Sequence, residues 1–150
     1  MKHLRTAFLL SLVLIISTID IFALQHFVIG TTKSTKNTTV VVPTAINPKI
    51  GNDPLTANDE IGVFDADGNC WGADVWNGTS NLAIKVIGFE EGDPDLGIPD
   101  EPGFATGVLM RFRIWDSETN TEYNVVTAVR SGGGSLNFNP NTPFYTLSQL

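Results

Sequence analysis

The chain has 150 residues, 42% of them hydrophobic and 17% charged, with a formal net charge of −7. That length fits one domain able to bury a core of its own. The acidic balance argues against nucleic acid or an anionic membrane surface as partner, and a single cysteine, Cys70, excludes an internal disulfide framework.

Residues 1–23 have the layout of a secretory signal peptide: Lys2 and Arg5 at the start, an apolar run over residues 8–16, and Ala23 as the small residue at the cut. The cut is expected near Ala23 or Leu24. The apolar run is too short to cross a bilayer, which takes about 20 residues, and Asp20 interrupts any extension. No stable membrane insertion is therefore expected after cleavage. Losing two basic residues and one acidic residue would move the net charge from −7 to −8. The expected location is secreted, extracellular or at the cell surface.

Beyond residue 23 no window places apolar residues at helical spacing. Short apolar runs alternate with turn clusters, which predicts an all-β, two-sheet antiparallel β-sandwich, immunoglobulin- or jelly-roll-like, with eight or nine strands. Residues 24–37 read as an N-terminal tail and residues 38–150 as the sandwich domain. Within the tail, residues 27–29 are a candidate short strand, and the polar T-T-K-S-T-K-N stretch is a mobile link or turn. Residues 38–42 form a strand stopped by Pro43. Residues 45–59 are a loop, punctuated by Asn47-Pro48, Gly51-Asn52 and Asp53-Pro54 and pinned by Ile46, Ile50 and Leu55.

A hairpin over residues 58–76 follows. Ile61 and Val63 share one face of its first strand. The turn D-A-D-G-N offers side-chain caps, and Gly68 supplies positive φ. In the second strand Trp71, Ala73 and Val75 are expected on the core face, and Cys70, Gly72, Asp74 and Trp76 on the other. Cys70 reads as a buried, inert thiol. Asn77-Gly78 is a hairpin signal. Residues 81–89 are apolar on both faces except Lys85, which predicts a central strand. Residues 90–103 hold six acidic residues and three prolines and read as irregular. From residue 109 to 115, Met110, Phe112 and Ile114 point inward while Arg111 and Arg113 point outward. Tyr123, Val125, Thr127 and Val129 continue an inward row. Residues 136–138 and 144–147 are the last strands.

Three ordered segments, D-E-I-G-V-F-D-A-D-G-N-C-W-G-A, N-L-A-I-K-V-I-G and L-M-R-F-R-I-W-D-S-E-T-N-T-E-Y, resemble a β-sandwich module of secreted and cell-surface bacterial proteins. In that module a DEIGVFD…CVGA hairpin precedes WGDD and an acidic loop, and a FRxWD…EY hairpin comes after. The likeness covers roughly residues 38–150. It implies a sandwich fold in an extracellular setting and brings no catalytic residues with it. The module usually sits within long multidomain proteins, whereas here it reads as standing alone. Phe89-Glu90-Glu91 replaces the usual Asp pair after the glycine.

No enzyme is expected. After residue 23 the chain has one histidine, His26, and one cysteine, and it lacks G-x-S-x-G, H-E-x-x-H and P-loop motifs. No cofactor is expected, with calcium as the one candidate ion. Asp65, Asp67 and Asn69 have the spacing that opens a calcium loop, but the position for the closing glutamate is Trp76. They therefore read first as turn caps and only weakly as metal ligands. Glu91, Asp93 and Asp95 in the acidic stretch are the other weak candidates. Trp76, Trp115 and Tyr123 could offer a stacking platform for a sugar, against the commoner fate of strand aromatics as packing. Phe27, Val28, Ile29, Val40, Val41 and Val42 are β-prone pieces flanking a polar link. They suggest a strand donated to a neighbour. The leading expectation is a structural subunit of an extracellular filament or surface matrix, with a second copy of itself as partner. The alternative is a carbohydrate- or surface-polymer-binding module, with or without calcium.

Overall fold

The computed structural model describes residues 23–30, 32–125 and 127–150. The expected signal peptide lies outside the described residues except for Ala23. No helix among the described residues is long and apolar enough to cross a membrane. In chain order the strands are β1 (Asn37–Val42), β2 (Lys49–Ile50), β3 (Asp53–Pro54), β4 (Glu60–Phe64), β5 (Cys70–Val75), β6 (Leu82–Ile87), β7 (Arg111–Asp116), β8 (Thr121–Asn124), β9 (Val129–Arg130) and β10 (Phe144–Gln149). One four-stranded sheet has the order β6-β1-β10-β9 and the other β5-β4-β7-β8, with β2 and β3 as a separate small hairpin.

The core lies between the two sheets. Val40, Val42, Ile84, Val86, Tyr145 and Leu147 of the first form one buried cluster with Ile61, Val63, Phe112 and Ile114 of the second. The alternation along β7 sets its share of that core: Met110, Phe112 and Ile114 are buried, and Arg111 is exposed. Leu55 is buried, with Ile46 and Ile50 packed against the same cluster, so the 45–59 segment is pinned by the residues expected to pin it.

The sandwich is not antiparallel throughout, because β1 runs parallel to β10 and antiparallel to β6. Strand β6 is an edge strand rather than a central one. Its Leu82, Ile84 and Val86 are buried while Ala83 and Lys85 are exposed. Asn77-Gly78 does not close a hairpin within one sheet. It carries the chain from β5 in one sheet to β6 in the other, with Asn77 Oδ1 accepting from the Thr79 and Ser80 amides at 2.9 and 3.0 Å. Residues 90–103 form no strand or α-helix, as expected from their composition. They fold back as a narrow excursion bridged at Glu90–Glu101 and Asp93–Ile98, around a 3-10 turn at Pro94–Leu96. Residues 136–138 lie against 108–110 through backbone bonds (Met110 N–H to Leu136 O, 3.0 Å; Phe138 N–H to Val108 O, 2.8 Å) without forming a full strand.

The register of β4 and β5 breaks once. Val63 faces Gly72 and Phe64 faces Cys70, so Trp71 is the extra residue of a bulge. Cys70 and Ala73 therefore end on the same outer face. Trp76 lies in the inter-sheet core, opposite to the expectation that put Ala73 inward and Trp76 outward. Trp71, expected in the core, packs against it but is only partly buried, and it donates its indole N–H to Asp65 at 2.7 Å.

Gly72 lets β5 and β6 abut where the sheets meet. A Cβ there would lie 2.5 Å from the Lys85 carbonyl oxygen. Gly72→Ala is expected to cost about 1–3 kcal/mol through forced backbone displacement. The check is a lower urea midpoint with an unchanged m value.

Candidate functional site

The outer face of the β5-β4-β7-β8 sheet is the most elaborated surface among the described residues. Glu60, Gly62 and Phe64 alternate along β4 and project away from the inter-sheet core. Across the ladder Glu60 faces Trp115, Gly62 faces Arg113, and Trp115 in turn faces Glu122. The N-terminal segment, residues 24–30, lies over this face as a strap. Phe27, Phe64, Cys70, Ala73 and Trp115 form a second buried cluster, with Leu24 and Ile29 packed against it.

Gly62 makes room for the strap. A Cβ at that position would come within 3.0 Å of the Phe27 ring and 2.5 Å of the Phe64 ring. The Phe27 and Phe64 rings meet edge to face at 5.2 Å. His26 stacks flat on Trp115, with centroids 5.2 Å apart and planes 4° apart. Its Nε2 lies 2.9 Å from Glu122 Oε2. Arg113 sits 4.2 Å above the Phe64 ring and donates to Glu122 at 3.0 Å. At the far end the Gly30 amide donates to the Cys70 carbonyl at 3.2 Å.

Three consecutive backbone N–H groups of the strap are taken by a carboxylate rather than by a strand ladder, and residues 27–29, expected as a short strand, do not form one. Glu60, fully buried, accepts from the Gln25, His26 (3.0 Å) and Phe27 (2.8 Å) amides. Further along, Glu101 accepts from the Lys33 amide at 2.9 Å and the Thr32 hydroxyl at 3.2 Å. Glu90 accepts from the Thr35 amide and hydroxyl at 2.6 and 2.8 Å. The polar link expected to be mobile or a turn is thus held by two glutamates of the acidic excursion. Asp59, also buried, accepts from the Thr56 and Ser117 amides and hydroxyls and joins the turns at one end of the sheet.

The remaining sequence candidates fall into separate places. Asp65 caps the D-A-D-G-N turn, accepting from the Asp67 and Asn69 amides, the Asn69 side chain and the Trp71 indole. Burial pushes its carboxyl up, but those donors outweigh burial and hold it below the usual range. Asp93 caps the 3-10 turn through the Asp95 and Leu96 amides, while Glu91 and Asp95 are exposed. The described residues include no group of three His, Cys, Asp or Glu side chains placed to hold a metal ion. Trp76 and Trp115 are both buried, on opposite faces of their sheet, and Tyr123 is half-exposed on β8. The three therefore do not form a stacking platform. Val40 and Val42 are fully buried in the core and Val41 is half-buried, all three on a strand flanked on both sides within the chain. Val28 is 84% exposed, on the solvent side of the strap, and Ile29 is partly buried. Burial raises the pKa of the Cys70 thiol, which favours its protonated, unreactive form.

Sequence reasoning assigned no role to Glu60, His26, Glu90, Glu101 or Glu122. The one available signal was the period of β4: strand parity puts Glu60 on the same side as Gly62 and Phe64, a face with a hole and an aromatic wall.

Among known proteins, no family model, characterised protein or solved structure matches the chain.

The carboxylate contacts give the strap a pH dependence. The amide and hydroxyl of Thr35 hold the Glu90 carboxyl below its ordinary value. Partial burial pushes Glu122 up, but His26 and Arg113 outweigh it and leave it lowered. A lowered folded-state pKa contributes stability that is complete above the unfolded value, about 4.3, and is lost as pH falls through the folded value. Acidification to about pH 3 is expected to free the strap and link ahead of the core. Amide exchange at Thr35 should then rise before that of β4 or β7, and Glu90→Gln should remove the effect. A second test uses the hole: Gly62→Ala is expected to expel Phe27 at a cost of about 1–3 kcal/mol. Limited proteolysis should then cut within residues 24–36 while the sandwich persists.

Proposed function

We propose that the protein is a non-enzymatic, exported structural subunit of an extracellular filament or surface matrix, joined through its N-terminal strap. The observation that carries this reading is the strap and its seat. A short segment covers an apolar face with one aromatic plug, Phe27, and three amides on one carboxylate, Glu60. The strap contributes no strand to either sheet, so it can leave without breaking a ladder. A neighbour's strap would make the same contacts in the same seat, which is the condition for head-to-tail exchange and open-ended growth. The link of residues 31–36 could span about 20 Å when extended. The exchanging piece is confined to residues 24–36, because moving Val40, Val41 and Val42 would take out a central strand and empty the core. The resemblance to an exported sandwich module and the signal-peptide pattern of residues 1–23 support an extracellular setting.

Electron microscopy and light scattering of the concentrated secreted protein test this reading. Filaments or a ladder of oligomers are expected, and deletion of residues 24–36 should abolish them while the sandwich still folds. Strict monomers at about millimolar concentration would overturn it.

A second reading, an extracellular carbohydrate- or polymer-binding module, draws on a cleft of about 630 Å³ at the D-A-D-G-N end of the sandwich. Asp65, Asp67, Arg111, Arg113 and Asn124 supply its polar lining. If this reading holds, binding on a glycan array is lost on Arg111→Ala and unaffected by deleting the strap.

A further inference from the structure

The seat of the strap contains a buried carboxylate without a countercharge. Glu60 is 0% exposed. It receives three backbone amides, and among the described residues no lysine, arginine or histidine side chain forms an ion pair with it. Amide dipoles lower the cost of burying a carboxylate but add no positive charge, and buried charges are ordinarily paired. The three donors are consecutive, and the series ends at Gln25. Leu24 is next in line. Its side chain is partly buried against the Phe27–Phe64–Trp115 cluster, whereas Ala23 is exposed. Packing on the seat therefore begins at Leu24, where the sequence places the cut. The backbone nitrogen of Leu24 lies one residue, at most about 3.6 Å, from that of Gln25.

We propose that Glu60 is the receptor for the α-ammonium group of a processed N-terminus at Leu24. A leader peptidase hydrolyses the Ala23–Leu24 peptide bond. Water gives its hydroxyl to the Ala23 carbonyl carbon and a hydrogen to the Leu24 nitrogen, breaking the C–N bond. The released amine takes a further proton from solvent at neutral pH. Before the cut this nitrogen is a neutral amide; after it, a cation stands beside a fully buried carboxylate that has no countercharge among the described residues. Capture of a chain-terminal amine by a preformed polar nest is a known recognition mode. Processing then tightens the hold of the strap on a seat, its own or a neighbour's, beyond what the three amides of the uncut chain provide. The cut rests on the exported reading above; the seat does not.

The test compares chains that start at Leu24 with a free amine, start at Leu24 with an Nα-acetyl group, or start at Ala23. Every described strand and buried core residue lies after Leu24, so the shortened chain keeps the whole sandwich. The free-amine chain is expected to melt about 3 °C or more above the other two. That gap should vanish in a Glu60→Gln background. In case that variant does not fold, acylation of the α-amine by an amine-reactive reagent supplies an independent readout. In the folded chain it should run at least about tenfold slower than in a peptide of residues 24–30, the factor that an amine held about 1.4 kcal/mol out of reach implies. Equal melting of free and acetylated chains, or acylation as fast as in the peptide, overturns the proposal. Mass analysis of the secreted product separates the two readings. A product starting at Leu24 supports the proposal, and one starting at Phe27 or later removes the donors and overturns it. Retention of the uncut chain inside the host counts against export alone and leaves the amine comparison to decide the role of Glu60.

Discussion

Strand β4 is buried along its whole length, and that constraint shapes everything around it. Ile61 and Val63 fill the space between the sheets, as any sandwich strand would. Glu60, Gly62 and Phe64 face the other way, onto a surface that a two-sheet sandwich leaves to solvent. A third layer must cover that side. The strap provides it, and its demands explain the residues beneath. A glycine leaves the space that the Phe27 ring fills, an aromatic wall meets the ring, and a carboxylate answers the amides that a strap without a strand partner would leave unpaired.

The same solution recurs along the N-terminal segment. Where a sheet would satisfy the backbone with carbonyl oxygens, this stretch uses Glu60, Glu101 and Glu90 in turn. Carboxylate acceptors bind amides more strongly than carbonyls do, yet they respond to protons and carbonyls do not. The acidic composition is thus partly structural. Several of these charges organise the chain's own backbone rather than awaiting a ligand.

Local periodicity made much of the sandwich legible in the sequence. The alternation of Met110, Phe112 and Ile114 against Arg111, and the placing of Ile61 and Val63, needed only a two-residue period. Reasoning failed where one residue or one distant partner decided the outcome. The bulge at Trp71 exchanges the faces of β5 beyond it, so parity counted from the wrong side put Trp76 outside and Ala73 inside. The apolar look of residues 81–89 suggested a central strand, but β6 lies at an edge because the chain changes sheets at Asn77-Gly78. The strap was beyond reach for a different reason. Its bonds join residues more than thirty positions apart, and an amide accepted by a distant glutamate leaves no mark on local composition.

The parallel pairing of β1 with β10 carries a consequence of its own. The first strand of the sandwich cannot take its final place until the last has been made, since β10 is one of its two neighbours. No portion of the chain that stops short of β10 can close the core unaided, so a growing chain stays open until β10 has been made. Such a late-closing topology folds slowly, because its contacts are far apart in sequence. Were the chain exported as proposed, that delay would keep it threadable through a narrow translocation channel until β10 had been made.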